Sequence, residues 1–135
     1  ANNPVATWDF LSTFADIVDA DTSSDLDGVS FLPTLLGNND SQKSHEYLYW
    51  AFYELGGRQA VRVGDWKYIK LNVRDANKKV VEELYNIAQD PSESKNVIAQ
   101  HPEKVKELAK VMKQAHTEHN LLSLFSSNTN AETKF

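Results

Sequence analysis

The sequence predicts an α+β fold: a small four-stranded antiparallel sheet, a C-terminal helix packed on it, and an N-terminal helix. Three observations predict it. Four short runs rich in aromatic and β-branched residues lie between Tyr47 and Tyr85, separated by Gly-, Asp- and Asn-containing turns. Apolar residues recur at helical spacing between Pro102 and His116, and again between Trp8 and Asp19. A chain of 135 residues suits one such domain, because at this size about two-thirds of the unfolded surface can be buried.

In chain order, Leu11, Phe14, Ala15 and Val18 form the i, i+3, i+4, i+7 stripe of an amphipathic helix, with Thr7 placed to cap it. The Asp- and Ser-rich stretch from Asp19 to Gly28 reads as a solvated linker ending in an Asp27-Gly28 turn. Asp19, Asp21, Asp25 and Asp27 lack the central Gly and closing Glu of a calcium-binding helix-loop-helix pattern, so solvation explains them. Ser30 to Gly37 holds one or two helical turns, with Pro33 early and Gly37 at the stop.

Strands are expected at Tyr47–Glu54, Gln59–Val63, Trp66–Val73 and Val80–Tyr85. The first is apolar on both faces, which reads as a central strand covered on both sides. Asp90-Pro91-Ser92-Glu93 has the form of a helix start, with Asp90 as cap, Pro91 at the first position and Glu93 at the third. The last helix carries Val105, Leu108, Ala109, Met112 and Ala115 as its stripe. His116 and His119 near its end complement the helix dipole when charged. The expected organisation is therefore residues 1–44 as N-terminal helix and linker, 45–125 as the sheet subdomain, and 126–135 as a disordered tail with little to bury.

A net charge of -5 argues against a nucleic-acid partner, since phosphate binding needs clustered Lys and Arg. A membrane partner is not expected either, because no uncharged apolar run approaches the length of a span. The absence of cysteine removes disulfides, thiolate metal sites and a cysteine nucleophile.

Four stretches, in this order, resemble the C-terminal portion of sulfatases of the bacterial arylsulfatase and N-acetylgalactosamine-6-sulfatase type. Trp8-Asp9-Phe10-Leu11-Ser12-Thr13-Phe14-Ala15-Asp16 resembles the family's D-x-x-P-T helix, with Ser12 where proline is usual. Asp27-Gly28-Val29-Ser30-Phe31-Leu32-Pro33-Thr34-Leu35 resembles D-G-x-S-x-x-P-x-L. Ala60-Val61-Arg62-Val63-Gly64-Asp65-Trp66-Lys67-Tyr68 resembles the A-V-R-x-G-x-W-K hairpin. Glu83-Leu84-Tyr85-Asn86 and Asp90–Val97 resemble E-L-Y-D-L-x-x-D-P-x-E-x-x-N-L.

The resemblance implies a parent that hydrolyses sulfate esters of aryl or carbohydrate substrates, using a formylglycine nucleophile and a divalent cation, usually calcium, in a separate catalytic domain. It also implies a periplasmic or secreted address. The formylglycine precursor has the form C/S-x-P-x-R, and two residues before the four prolines stand Asn2, Phe31, Gln89 and Gln100. The expectation is a piece with no catalytic or metal-binding residue and no cofactor of its own, whose partner is the N-terminal catalytic domain of the same chain. Loss of the nucleophile removes the covalent route.

Candidate substrate contacts are Glu54, Arg58 and Gln59, which flank the Gly56-Gly57 turn. Adjacent glycines permit positive φ and close approach by a partner, and the flanking side chains suit hydroxyls and an anionic group. His45, at the opening of the first strand, is a fourth candidate for a substrate or interdomain contact. Arg62 is read as pairing with Glu54 or Glu83, and Trp50, Phe52, Trp66 and Tyr68 as core. The competing reading is a free-standing carbohydrate-binding or interaction module, marked by an exposed aromatic row on one sheet face; a large apolar patch on the N-terminal helix favours a missing partner domain instead.

Overall fold

The structure is a computed structural model that describes residues 3–23, 25–117 and 124. The element order is α1 (Asp9–Ile17), α2 (Leu32–Leu35), β1 (Leu48–Phe52), β2 (Arg58–Val63), β3 (Trp66–Leu71), β4 (Val81–Asn86) and α3 (Pro102–Ala115). This is the α+β fold expected from the sequence. The chain divides into two compact units, Ala1–Glu46 and Tyr47–Phe135. The expected tail at 126–135 and His119 lie outside the described residues.

In the second unit the strands form a meander in the order β1-β2-β3-β4, every pair antiparallel. Val61, Tyr68 and Leu84 project from β2, β3 and β4 onto one face, where Leu108 and Met112 of α3 meet them. Leu84 and Leu108 are fully buried, and side chains of this size each contribute about 2 kcal/mol through burial. The helix begins as its sequence dictates, with Pro102 in the first turn, where its missing N–H is no loss.

Four expectations fail here. The first strand is an edge strand, not a central one: Leu48 is buried, whereas Phe52 is 60% exposed and so is not core. A hairpin meander leaves its first strand with one neighbour, and the two-faced apolar run does not alter that. No helix follows Asp90. Its carboxylate accepts from the Ser92 and Ser94 hydroxyls (both 3.0 Å) and from the Lys95 N–H (2.8 Å), so the donors that would open a helix are drawn into a loop. Glu93 takes a positive φ of 52° and reaches Lys67 at 2.6 Å. Arg62 does not pair with Glu54 or Glu83; its Nε donates to the Gly64 carbonyl of its own hairpin (3.0 Å).

In the first unit, α1 is turned the other way from its stripe. Asp9 and Thr13 are buried, while Leu11, Phe14 and Val18 are exposed, Val18 by 70%. Only Ala15 of the expected stripe faces inward. Thr7 does not cap the helix. Asp9 closes that end, accepting the Ala6 N–H on Oδ2 (2.7 Å). Gly28 lies against the helix start so closely that a Cβ there would sit 2.4 Å from the Trp8 carbonyl oxygen. Gln42 holds α2, accepting from the Thr34 hydroxyl (2.8 Å) and donating to the Ser30 carbonyl (2.9 Å).

Tyr68 extends its hydroxyl to Glu82, and Lys70 pairs with the same carboxylate at 3.2 Å. Burial, then Glu82, pushes the Tyr68 hydroxyl well up, while the Tyr68 hydrogen bond holds the Glu82 carboxyl below the usual range. A depressed folded-state pKa means the ionised form stabilises the fold: that contribution is present above the unfolded value near 4.5 and is lost as pH falls through the folded one. Glu82→Gln should therefore flatten the loss of urea stability between about pH 5 and pH 3. An unchanged slope would remove Glu82 as a contributor.

Candidate functional site

The β1–β2 hairpin is built on three consecutive positive φ values, at Leu55 (52°), Gly56 (84°) and Gly57 (76°). Glycine removes the steric cost at two of these positions. Their use is internal. Arg74 donates its backbone N–H to the Gly56 carbonyl (2.8 Å), and Val73 donates to the Gly57 carbonyl (3.1 Å). A Cβ on Gly57 would lie 2.5 Å from Arg74 Cγ. Arg74 then donates through Nη1 to the Tyr53 carbonyl (2.8 Å), with its guanidinium over the Tyr53 ring. The close approach that the glycine pair permits is taken by the β3–β4 connection, which bolts the hairpin in place.

Glu54 and Arg58 flank this turn and are exposed, and Leu55 stands out at the tip. The pairing Phe52↔Arg58↔Leu71 and Trp50↔Ala60↔Ile69 puts these residues on the sheet face that α3 does not cover. A groove of about 400 Å³ runs there, lined by Trp50, Phe52, Leu55, Arg58, Lys67 and Glu83 among others. Lys67 is committed to Glu93, whereas Arg58 makes no ion pair among the described residues. A guanidinium beside two aromatic side chains can hold a sulfate or carboxylate in its planar fork while a sugar ring lies on the aromatics.

Gln59 goes to the opposite face. The period of two that puts Val61 against α3 takes Gln59 with it, and the residue is 4% exposed. Its Nε2 donates to Tyr49 Oη (2.8 Å), which lies 2.8 Å from His116 Nδ1 at the end of α3. The structure thus brings Glu54 and Arg58 to one turn and sends Gln59 to the helix side of the sheet.

His45 belongs to the first unit. Its Nε2 lies 2.8 Å from Asp9 Oδ1, and both side chains are nearly covered. The same oxygen accepts the Val29 N–H (2.9 Å), and Oδ2 holds Ala6. Asp9 therefore ties residues 6, 29 and 45 to the start of α1. Thr13 extends the network, donating to the Asp9 carbonyl (2.7 Å) and accepting the Phe31 N–H (3.0 Å).

Sequence reasoning passed over Asp9, Tyr49, Arg74 and His116 as partners. Strict alternation along β2 was a signal for Gln59; Arg74 and Asp9 act across sequence gaps that no local pattern marks. Among the described residues no group of three or more His, Asp or Glu is placed to hold a metal ion, so the donor set for a catalytic cation is not met by these side chains.

Residues 1–121 match the profile of the N-sulphoglucosamine sulphohydrolase C-terminal family. Arylsulfatase K of Danio rerio is 28% identical over 116 residues, covering 82% of this chain and 21% of its own length. The N-acetylgalactosamine-6-O-sulfatase of Bacteroides thetaiotaomicron is 33% identical over 100 residues, covering 67% and 19% respectively. The chain thus spans about a fifth of the length of these curated relatives. Among solved structures, Ps i-CgsB in complex with k-i-k-neocarrahexaose superposes with a TM-score of 0.65 at 25% identity, covering 83% of this chain and 24% of that one. An enzyme solved with its substrate D-glucosamine-2-N,6-O-disulfate does so with 0.61 at 26%, covering 78% and 22%.

Replacing Asp9 by Ala removes the acceptor for two backbone N–H groups and for His45. The expected cost is about 3 kcal/mol in urea unfolding. A loss under about 0.5 kcal/mol, the range of ordinary surface changes, would contradict this role.

Proposed function

The chain belongs to the family of N-sulphoglucosamine sulphohydrolase C-terminal domains, and on that premise we propose that it serves an enzyme that hydrolyses sulfate esters of aryl or carbohydrate substrates. Its task is to support the catalytic domain of the same polypeptide and to present the β1–β2 hairpin at the rim of the substrate cleft. The formylglycine nucleophile and the calcium ion belong to that catalytic domain. Export to a periplasm or beyond, where sulfated glycans are met, fits this role.

The observation that carries the reading is the inverted helix α1. Phe10, Leu11, Phe14, Ile17 and Val18 are all about half exposed or more, while Asp9 and Thr13 are turned inward together with the small Ala15. Covering five such side chains contributes on the order of 5 kcal/mol, which suits an interface within a larger protein. The alternative, a free-standing carbohydrate-binding or interaction module, draws on the Trp50–Phe52–Arg58 groove. It is disfavoured because Trp50 and Trp66 lie on opposite faces of the sheet and make no continuous aromatic row.

At the rim, Arg58 is the group suited to an anionic substituent, and Glu54 to a sugar hydroxyl. Gln59 contributes by holding Tyr49 and His116, and His45 by closing the Asp9 network next to an interdomain contact. In the parent enzyme, Arg58→Ala should raise KM for a sulfated oligosaccharide roughly tenfold, the effect of one charge-assisted hydrogen bond, with little change for a small aryl sulfate. This chain alone should not turn over an aryl sulfate. Calcium-dependent hydrolysis by it would overturn the reading.

A further inference from the structure

On the helix side of the sheet, a second groove of about 400 Å³ lies between α3 and the β2–β3 strands. Its floor is Val73, Val80 and Ala109, and its polar groups are Gln59, Lys70, Lys113 and His116. Among the described residues no acidic side chain lines it, although the chain as a whole carries a charge of -5. We propose that this groove is a second saccharide site, which takes a sulfate- or carboxylate-bearing sugar unit of a polymeric substrate.

The chemistry follows from the lining. Lys70 is held between Glu82 (3.2 Å) and the Tyr68 ring (5.7 Å to its centroid), so its ammonium is pre-placed and partly neutralised. Lys113, in the last turn of α3, is exposed and makes no ion pair among the described residues. It supplies the uncompensated positive charge. Gln59 is fixed by Tyr49, which is fixed in turn against His116, so the polar wall is set before a ligand arrives and less ordering is needed on binding. An apolar floor with a cationic rim suits the C–H face of a sugar ring with an anionic substituent at its edge, and suits an inorganic ion poorly. The register that sends Gln59 and Lys70 to this face and Arg58 and Lys67 to the other separates the two grooves by the thickness of the sheet. A polymer could then be held away from the cleft while its scissile unit lies in it. The anion chemistry is read from the groove, and the choice of a saccharide rests on the sulfate-ester reading above.

The test is an amide NMR titration of this chain with three probes: a sulfated disaccharide, the same disaccharide without sulfate, and inorganic sulfate. The sulfated sugar should shift the Gln59 side-chain amide and the Val73, Val80 and Ala109 amides saturably, and the other two should bind at least tenfold more weakly. Lys113→Ala should weaken that binding roughly tenfold, the loss of one charge-assisted hydrogen bond. Lys104→Ala, in the first half of the same helix and paired with Glu107, should leave it unchanged. Shifts confined to Gly56, Gly57 and Arg58 would overturn this second site and leave the rim role of the hairpin standing. No shift in either place would count against both. Equal binding of inorganic sulfate, or indifference to Lys113→Ala, would overturn the saccharide assignment.

Discussion

The constraint on which the first unit rests is that α1 must keep a carboxylate inside. Asp9 is 1% exposed, and it stays there because its two oxygens meet the Ala6 and Val29 N–H groups and the His45 imidazole. A buried carboxyl group in such a place is tolerable only when its polar atoms find partners. Once Asp9 faces in, helical geometry fixes the rest. Thr13 follows one turn later on the same side, and Phe10, Phe14, Ile17 and Val18 are carried outward. The helix is amphipathic as its sequence says, with its apolar side directed away from its own unit. The proposed contact with a catalytic domain rests on that outward apolar side.

The second unit is organised differently, around an apolar centre that is complete in itself. Val61, Tyr68, Leu84, Leu108 and Met112 close on one another, and the two tyrosine hydroxyls beside them are held locally: Tyr68 by Glu82, Tyr49 by Gln59 and His116. With that centre on one face, the other face carries the groove beside Trp50, Phe52 and Arg58, and Arg74 ties the hairpin at its edge.

The sheet was legible in the sequence because each strand is short, β-branched or aromatic, and punctuated by Gly, Asp or Asn; the observed strands fall within a few residues of the expected ones. Helix α3 was legible from Leu108 and Met112. What escaped was long-range. The stripe of α1 is real, but periodicity reports which residues share a face and is silent on which face turns inward; Asp9, hydrogen-bonded to residues 20 and 36 positions away, settled that. Asp90 carries the right residues for a helix cap, yet the serines at 92 and 94 and the Lys95 N–H compete for the same carboxylate. Of the candidate site residues, Glu54 and Arg58 were legible as turn-flanking groups. Gln59 was grouped with them by proximity in sequence, where strand alternation sets it against α3. Strand position is a similar case, since apolar residues on both faces of β1 did not distinguish a central strand from an edge strand awaiting cover.

Membership of a sulfatase C-terminal family and an outward-facing apolar helix point to one account, in which this chain is completed by a larger catalytic body. The most direct measurement compares amide hydrogen exchange of α1 in this chain alone and in the full-length parent. The account requires that protection around Phe10, Phe14, Ile17 and Val18 rise by at least about tenfold in the parent, as expected where an exposed helix face gains roughly 1.4 kcal/mol or more from cover. Equal exchange in the two contexts would mean that this face stays in water, and would contradict the account.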